Sequence, residues 1–242
     1  MVARRGTDAV LIRTVEQTGS TNADMLALAQ AGASEGSWLR AERQTGGRGR
    51  QGRAWESPPG NFYASTLVRL RPTDPPAATL ALVAAVALEE AIGVFLPNRA
   101  TLKWPNDLLI DGAKLSCILL ERVGDAVVIG IGVNLAHAPD LPDRLATSVA
   151  AQGVPVDPAT FADVLAEAFA RWLSRWRGEG LDPIRQRWLD RAHPSGTALT
   201  ARLPDGETID GLFDGLSHDG ALILRLADGA RRVIHAADVF LI

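Results

Sequence analysis

The sequence predicts an α+β body followed by a small β-barrel, and three patterns support this prediction. Up to about residue 193, short apolar runs typical of strands alternate with longer helical stretches. Within that region, the Asp111-Gly112 pair separates two apolar runs and is typical of a tight hairpin. From residue 194 onward, four short β runs are separated by Asp-Gly turns, as in a small barrel. We therefore expect two domains, residues 1–193 and residues 194–242.

Composition excludes several classes of protein. The chain has 242 residues, 47% of them hydrophobic and 22% charged, which argues against long disorder or a coiled coil. One cysteine excludes an intrachain disulfide and a multi-cysteine zinc site. The formal charge of −3 argues against bulk nucleic-acid binding, which usually needs a strongly basic domain. We therefore expect a globular protein without a nucleic-acid partner.

No segment is expected to direct the chain into a membrane or out of the cytoplasm. Residues 1–8 contain Arg4 and Arg5, but no apolar secretory region follows them. The most apolar stretch, residues 77–96, is interrupted by Glu89 and Glu90 and is rich in alanine, which favours a buried helix. A cytoplasmic location and the absence of a membrane partner are the resulting expectations.

The front of the chain is predicted to alternate between strands and helices. Ser20, Thr21 and Asn22 supply a capping cluster for a helix that runs to about Gln30. Residues 42–60 are rich in Gly, Arg, Gln, Ser and Pro, so they form a long loop. The other predicted elements are strands at 10–15, 37–41 and 62–70 and a long helix at 75–94.

The second half is predicted to be richer in strands. Asp157 and Pro158 mark the start of a helix, because Asp caps a helix and Pro is tolerated in its first turn. The predicted strands lie at 101–104, 108–110, 114–121 and 126–135, two helices follow at 161–176 and 184–192, and the barrel strands lie at 197–203, 208–213, 221–226 and 231–235.

A glycine- and arginine-rich segment, residues 44–53, is the most unusual part of the sequence. Residues 40–53 contain five arginines and one glutamate, a local charge of +4. Glycine lets backbone amides approach a ligand, and arginine presents a planar fork that matches carboxylate or phosphate oxygens. The segment therefore favours an anion site, with a solvated flexible loop or an RNA-binding Arg-Gly tract as alternatives. It fits neither the Walker motif nor the dinucleotide fingerprint.

A second polar cluster, Lys103-Trp104-Pro105-Asn106-Asp107, follows a predicted strand, and Lys114 comes seven residues after it. Pro-Asn-Asp is ordinary turn chemistry, and a lysine after a hairpin is usually solvated. If residues 114–121 are extended, alternate residues share a face of the strand and Lys114 can enter a pocket. One face then carries Lys114, Ser116 and Ile118, and the other carries Leu115, Cys117 and Leu119.

Residues 127–134 leave one face of a predicted strand almost bare. The odd-numbered residues are β-branched, whereas Gly130, Gly132 and Asn134 fall on the opposite face. A strand loses side-chain packing when it uses glycine, so the pattern indicates that something flat or another backbone lies against that face. A β-bulge is the alternative.

In this order and spacing, these segments closely resemble the catalytic module of biotin protein ligases. The resemblance covers residues 20–134 by motif, and the β-rich tail resembles that family's small C-terminal domain. It rests on the segments Ser20-Thr21-Asn22, 44–55, 103–107, 111–121 and 130–134. It implies a mixed β-sheet flanked by helices, like that of class II synthetases and lipoyl ligases, with an SH3-like barrel at the C-terminus.

The resemblance implies biotin, ATP and Mg²⁺ as reactants and cofactor. The biotin carboxylate attacks the α-phosphate and gives biotinyl-5′-AMP and pyrophosphate, after which a lysine of a biotin carboxyl carrier protein domain attacks the mixed anhydride. Two anions must be brought together and an activated ester shielded from water, which calls for fixed cations and an ordered lid. The carrier domain of an acetyl- or acyl-CoA carboxylase is the implied partner.

The resemblance also implies roles for particular residues. Lys114 matches the central lysine that contacts the carboxylate and the α-phosphate, Arg48 holds the reacting anions, and Asp107 orients the incoming lysine or the metal. The implied biotin site consists of Ser20, Thr21, Asn22, Gln44, Arg48, Gly49, Arg50 and Lys114. The implied ATP and adenylate site consists of Arg50, Arg53, Trp55, Asn106, Lys114 and Asn134. Metal ligands stay unknown, because Mg²⁺ keeps waters and relies on substrate phosphates.

Two features depart from the family pattern. Many members have Ala-Gly after the lysine, where this chain has Ser116-Cys117. We expect Cys117 to be a buried hydrophobic residue rather than a reactive thiol. Only about 19 residues precede Ser20, so the N-terminal helix-turn-helix domain of repressor-type members is not expected.

Two questions stay open at the level of the sequence. A lipoate or octanoate ligase is the nearest competing function, against which the Gly-Arg-Gly-Arg-x-Gly loop and the Lys-Trp-Pro-Asn-Asp motif speak. No long heptad pattern decides between a monomer and a homodimer.

Overall fold

Two β-sheets, one of seven strands and one of five, organise the chain. The computed structural model describes residues 11–142 and 144–241. Residues 1–8, on which the export prediction rests, and Val10, the first residue of the first predicted strand, lie outside the described residues. The predicted α+β fold with a second, β-rich unit near the C-terminus is confirmed.

The larger sheet is mixed. Its strands are β1 (Ile12–Thr18), β2 (Trp38–Gln44), β3 (Phe62–Arg69), β4 (Ala100–Lys103), β5 (Asp107–Ile110), β6 (Ala113–Val123) and β7 (Ala126–Val133). They run in the order β1-β2-β3-β7-β6-β5-β4. β1 and β2 are parallel because helix α1 (Thr21–Gln30) connects them, and the neighbouring pairs further along the sheet are antiparallel.

Helices cover both faces of this sheet. α2 (Leu80–Phe95), α3 (Pro158–Glu179) and α4 (Asp182–Leu189) lie on one face, where Ile129 and Ile131 of β7 join the main hydrophobic core. α1 lies on the other face, where Met25 packs near Val128. α3 begins as predicted, since the Asp157 side chain accepts a 2.8 Å hydrogen bond from the Thr160 amide.

The apolar stretch around α2 is a core helix. The segment Ala77–Phe95 is long and apolar enough to cross a membrane by composition, but 67% of it is buried inside the molecule. Leu80, Val83 and Leu88 are fully buried between the sheet and α3. The prediction of a buried helix is therefore confirmed.

The smaller sheet is antiparallel and contains one strand that the sequence analysis missed. Its strands are β8 (Ala198–Arg202), β9 (Thr208–Leu216), β10 (Leu222–Arg225), β11 (Arg231–Ile234) and β12 (Asp238–Leu241), in the order β11-β10-β9-β8-β12. β12 is only four residues long and begins with a charged residue, so its apolar pattern is weak. Trp188 of α4 and Phe213 of β9 lie 6.3 Å apart between ring centroids, so α4 packs against the smaller sheet.

The predicted face pattern of β6 is wrong at its start. Leu109 of β5 pairs with Lys114 and Leu108 pairs with Ser116, so Leu115 is an extra residue and the register shifts there. A bulge of this kind turns the strand by one residue. Lys114 therefore lies on the same side as Cys117, while Ser116 is fully buried on the core side.

Candidate active site

Two adjoining cavities lie on the α1 side of the larger sheet and share Trp55 and Cys117 in their walls. The smaller cavity, of about 30 Å³, is lined by Ser20, Thr21, Asn22, Gln44, Arg48, Trp55, Tyr63, Ala64, Cys117, Leu119, Gly130, Ile131 and Gly132. The larger cavity, of about 120 Å³, is lined by Gly49, Arg50, Arg53, Ala54, Trp55, Lys103, Pro105, Asn106, Asp107, Lys114, Cys117, Leu141, Arg144, Asp238 and Val239.

Hydrogen bonds hold the neutral polar side chains of the smaller cavity in place. Gln44, the last residue of β2, accepts a 2.8 Å hydrogen bond from the Thr21 amide and donates to Ser57 at 3.1 Å. Ser65, which is fully buried, donates to Asn22 Oδ1 at 2.6 Å. The Asn22 amide in turn donates to Glu121 at 2.8 Å. These bonds fix the orientation of the amide groups before a ligand arrives.

The bare face of β7 forms the floor of the smaller cavity. A Cβ atom added at Gly130 would lie 2.1 Å from Asn22 Oδ1, and one at Gly132 would lie 2.7 Å from Trp55 Nε1. The pairing of β7 with β3 and β6 is regular across both glycines, so the β-bulge alternative is wrong. The predicted close approach is confirmed: flat side chains occupy the space that the glycines leave.

Both lysines of the chain meet one buried carboxylate in the larger cavity. Lys114 Nζ lies 2.6 Å from Asp107 Oδ1, and Lys103 Nζ lies 3.2 Å from Asp107 Oδ2. Burial acts to raise the pKa of Asp107, but the two ammonium groups outweigh it and hold that pKa below its ordinary value. Burial lowers the pKa of Lys103, and the carboxylate opposes this effect.

Four successive residues at the start of β12 each contact a basic side chain of the larger cavity. Their partners come from three other parts of the chain. Ala237 O accepts from Arg50 at 3.1 Å, Asp238 accepts from Arg53 at 2.9 Å, Val239 O accepts from Lys103 at 2.8 Å, and the Phe240 ring centroid lies 5.4 Å from the guanidinium carbon of Arg144. We call residues 237–240 the β12 wall.

Cys117 lies at the boundary of the two cavities and not inside the core. It is half-buried, and its sulfur accepts a 3.3 Å hydrogen bond from the side-chain amide of Asn106. Burial raises the pKa of the thiol, although the nearby Lys114 opposes this effect. The expected packing on a Leu115 face is therefore wrong, while the raised pKa keeps the thiol protonated, in line with an unreactive side chain.

The remaining predicted site residues lie in different settings. Arg48 is exposed at the smaller cavity, and the Gly49 amide donates to Arg53 O within the loop.

The two predicted asparagines both bond to backbone carbonyls. The side-chain amide of Asn106 donates to Ile118 O at 2.7 Å, which ties the motif to β6. Asn134 follows β7, is buried and donates to Thr147 O at 3.1 Å. The lining described for the two cavities does not include Asn134.

Sequence reasoning missed several residues that build the site. Ser57, Ser65 and Glu121 hold the amides of the smaller cavity, and they carry no signal because single serines and glutamates are common. Arg144 and Asp238 line the larger cavity. Arg144 follows the last recognised motif by ten residues and Asp238 by more than a hundred, and neither belongs to a motif, so only the folded chain shows that they line this cavity.

The described residues offer no preformed metal cage. Residues 11–142 and 144–241 contain no group of three His, Cys, Asp or Glu side chains that could hold a metal ion. Asp107 and Asp238 are the carboxylates of the larger cavity's described lining, and both pair with basic side chains. A metal that works here must therefore take most of its ligands from substrate and water.

Comparison with families of known proteins gives two matches along the chain. Residues 14–134 match the biotin/lipoate A/B protein ligase family. Residues 195–242 match the biotin protein ligase C-terminal domain. The first match contains most of the residues that line the two cavities, and the second contains the β12 wall.

Named relatives match over most of the chain. The biotin–[acetyl-CoA-carboxylase] ligase of Paracoccus denitrificans is 44% identical over 93% of this chain and 98% of its own length. The enzyme of the same name from Mycobacterium tuberculosis is 35% identical, over 93% and 86%. The bifunctional ligase/repressor BirA of Bacillus subtilis is 37% identical over 88% of this chain and 68% of its own length.

Solved structures show the same fold. The Aquifex aeolicus biotin protein ligase in complex with biotin and ATP superposes with a TM-score of 0.84 at 24% identity and covers 96% of this chain and 99% of its own. The Leishmania major biotin protein ligase in complex with biotinyl-5-AMP superposes with a TM-score of 0.66 at 27% identity, over 93% and 98%.

Proposed function

The chain belongs to the biotin protein ligases of the biotin/lipoate A/B protein ligase family, and on that premise we propose how its two cavities divide the reaction. It activates biotin with ATP to biotinyl-5′-AMP and transfers the biotinyl group to a lysine of a biotin carboxyl carrier protein domain. In the first step a carboxylate oxygen bonds to the α-phosphorus and pyrophosphate leaves. In the second step the lysine nitrogen bonds to the acyl carbon and AMP leaves.

We assign biotin to the smaller cavity. Its walls offer neutral hydrogen-bonding groups from Thr21, Asn22 and Gln44 above the flat floor of Gly130 and Gly132. A cyclic urea is neutral, planar and carries both donors and acceptors, so it suits amide and hydroxyl partners better than charged ones. The pre-existing bonds to Ser57, Ser65 and Glu121 keep these partners oriented.

We assign the phosphates of ATP to the larger cavity. Five basic side chains line it against the two carboxylates Asp107 and Asp238. Arginine and lysine donors that are already fixed stabilise developing negative charge without reorganising during the reaction. The basic residues are Arg50, Arg53, Lys103, Lys114 and Arg144.

The observation that carries this division is the position of Lys114 beside Trp55. The Lys114 ammonium lies 5.9 Å from the centroid of the Trp55 ring, and Trp55 lines both cavities. A carboxylate that leaves the smaller cavity and a phosphate in the larger one would meet there. A cation at that point stabilises the charge that builds up in the transition state, which for a single donor amounts to about 3–4 kcal/mol.

We propose that Asp107 positions the two lysines. It is buried and pairs with both ammonium groups. Because these ammonium groups hold its pKa below the ordinary range, the carboxylate is a weak base at neutral pH and suits a fixed counter-charge better than proton transfer. Asp107 would therefore keep Lys114 aimed at the reacting oxygens.

Several finer features are part of the same proposal. Mg²⁺ would arrive bound to the ATP phosphates, since the described residues present no cage for it. Residues 1–193 would form the biotin- and ATP-binding domain and residues 194–242 the small barrel. The acceptor would be the carrier domain of an acetyl- or acyl-CoA carboxylase, and a protein that consumes ATP and modifies that carrier would work in the cytoplasm.

The proposal is tested by incubating the protein with biotin, ATP, Mg²⁺ and a biotin carboxyl carrier domain. We expect pyrophosphate release and a carrier whose mass rises by one biotinyl group, with lipoate inactive in place of biotin. Labelling with lipoate at an equal rate would favour the lipoyl-type function. Release of pyrophosphate without any labelled carrier would overturn the proposed acceptor.

A further inference from the structure

Arg144 lies beside Lys114, outside every motif on which the family resemblance rests. It belongs to the segment between β7 and α3, and two backbone bonds hold this segment to the lysine. The Lys114 amide donates to Leu145 O at 2.8 Å, and the Thr147 amide donates to Lys114 O at 2.9 Å. The position of Arg144 is therefore coupled directly to the position of the central lysine.

A groove leads from the larger cavity past Arg144. Lys103, Asp107, Lys114 and Arg144 line both the larger cavity and this groove, so the two spaces adjoin each other. On the far side the groove is bounded by Leu145 and Phe240. A group that is cleaved at the α-phosphate could leave the larger cavity along this basic path.

Phe240 of the β12 wall holds Arg144 at the groove. The guanidinium carbon of Arg144 lies 5.4 Å from the centre of the ring, within the range of a cation–π contact. The same ring carries a second guanidinium, that of Arg202, at 5.1 Å. Arg202 is not part of the lining described for the cavity or the groove, so the chain offers a matched control.

We propose that Arg144 binds the β- and γ-phosphates of ATP and the pyrophosphate that leaves. This inference rests on the proposed function of the site. On the proposed division of the site, the one phosphate that biotinyl-AMP keeps would lie near Lys114, so the two outer phosphates of ATP would extend beyond it. Arg144 is the arginine that continues the row of cations from Lys114 into the groove, and a guanidinium fork suits phosphate oxygens.

The test compares Arg144→Gln with Arg202→Gln. In biotin-dependent exchange between pyrophosphate and ATP, we expect Arg144→Gln to raise the KM for ATP and the KM for pyrophosphate by about ten-fold. The KM for biotin and the rate of transfer from supplied biotinyl-AMP should stay unchanged. Arg202→Gln should change none of these values.

Two further measurements separate this inference from the proposed function. In calorimetric titration, inorganic pyrophosphate should bind more weakly to Arg144→Gln than to the wild type. This comparison tests the inference even if the wild type does not act on biotin. Phe240→Leu should also raise the KM for ATP, but by less than Arg144→Gln does. Phe240→Tyr, which keeps an aromatic ring, should return this KM to the wild-type value. Unchanged ATP and pyrophosphate constants in Arg144→Gln would overturn the inference. Slower transfer with a raised KM for the carrier would instead place Arg144 in the carrier interface.

Discussion

The smaller cavity and the larger cavity meet at Trp55 and Cys117, yet they draw their walls from different parts of the chain. The described walls of the smaller cavity lie between Ser20 and Gly132, in strands of the larger sheet, in α1 and in the loop between β2 and β3. The larger cavity takes Asp238 and Val239 from the second sheet as well. One cavity is therefore a property of a single sheet, and the other exists only when two sheets pack together.

The two cavities also hold their polar groups in different ways. In the smaller cavity, the amides of Asn22 and Gln44 bond to hydroxyl groups, a backbone amide and the Glu121 carboxylate, and none of these partners belongs to the C-terminal sheet. In the larger cavity, basic groups would repel one another, and the β12 wall offsets this repulsion with two carbonyl oxygens, one carboxylate and one aromatic ring. Loss of the wall should therefore harm phosphate binding before it harms biotin binding.

The largest effect on the reaction is expected from a substitution of Lys114, which lies where the two cavities meet. Lys114→Ala should slow formation of biotinyl-AMP by about 10²–10³-fold, because the lost cation acts mainly in the transition state. Biotin binding, followed by calorimetry, should change far less. Normal turnover in pyrophosphate exchange would remove Lys114 from the mechanism.

The glycine floor offers a way to disturb only the smaller cavity. Gly130→Ala would place a methyl group 2.1 Å from the present position of Asn22 Oδ1, so Asn22 must move. We expect the KM for biotin to rise about ten-fold or more with the KM for ATP unchanged. Gly178→Ala, at an exposed position of α3 with open space around its Cβ, is the control and should leave both constants unchanged. An equal rise in both constants would contradict the division into two cavities.

His193 tests the junction that builds the larger cavity. Its Nε2 is buried without a partner among the described residues, and burial together with nearby Lys103 lowers its pKa to about 4. An unfolded histidine has a pKa of about 6.5, so the unfolded chain binds the proton first as the pH falls. Stability should be complete above about pH 6.5 and fall towards pH 4, by about 1–2 kcal/mol at pH 5 from this residue.

Urea unfolding at pH 7 and pH 5 measures this effect. His193→Gln should lose less stability between the two pH values than the wild type. His218→Gln, at an exposed histidine, should behave as the wild type does. An identical pH dependence in wild type and His193→Gln would show that the junction does not keep His193 neutral.

Asp238 offers a milder change to the larger cavity alone. Asp238→Ala removes the carboxylate that pairs with Arg53. Because the Arg53 side chain is 45% exposed, the free energy of unfolding should fall by less than about 1 kcal/mol. The KM for ATP should rise about two- to five-fold because Arg53 is no longer held in place, and the KM for biotin should not change. A fall in the KM for ATP would mean that Asp238 competes with phosphate for the arginine.

The smallest effect is expected in the biotinylation of the protein's own lysines. Lys103 and Lys114 are the only lysines of the chain, and both are largely buried against Asp107. We expect no biotinyl group on either side chain after incubation with biotin and ATP without a carrier. Intact-mass and peptide analysis measures this, with Arg43→Lys as a control that provides an exposed lysine. Labelling of Lys103 would show that the pair with Asp107 opens.

Local patterns in the sequence determined most of the fold. The helix that begins at Thr21, the Asp157-Pro158 helix start and the Asp111-Gly112 hairpin were each predicted from short-range patterns. The capping role predicted for residues 20–22 is not found, because the side chain of Ser20, the N-cap residue, makes no capping hydrogen bond. The alternating glycines predicted that another group lies close against that face of β7, as Asn22 and Trp55 do. The order and spacing of motifs between Ser20 and Asn134 also identified the family, which the family match over residues 14–134 confirms.

The remaining features of the site depend on strand pairing and on contacts between distant parts of the chain, which local patterns do not encode. The bulge at Leu115 turned Lys114 to the side of Cys117, and this shift depends on how β5 and β6 pair. The bond between Lys103 and Val239 joins residues 136 positions apart, and that between Arg53 and Asp238 joins residues 185 apart. A contact of that range leaves no periodic signal in one sequence, so the β12 wall and the place of Arg144 emerge only when the two sheets pack.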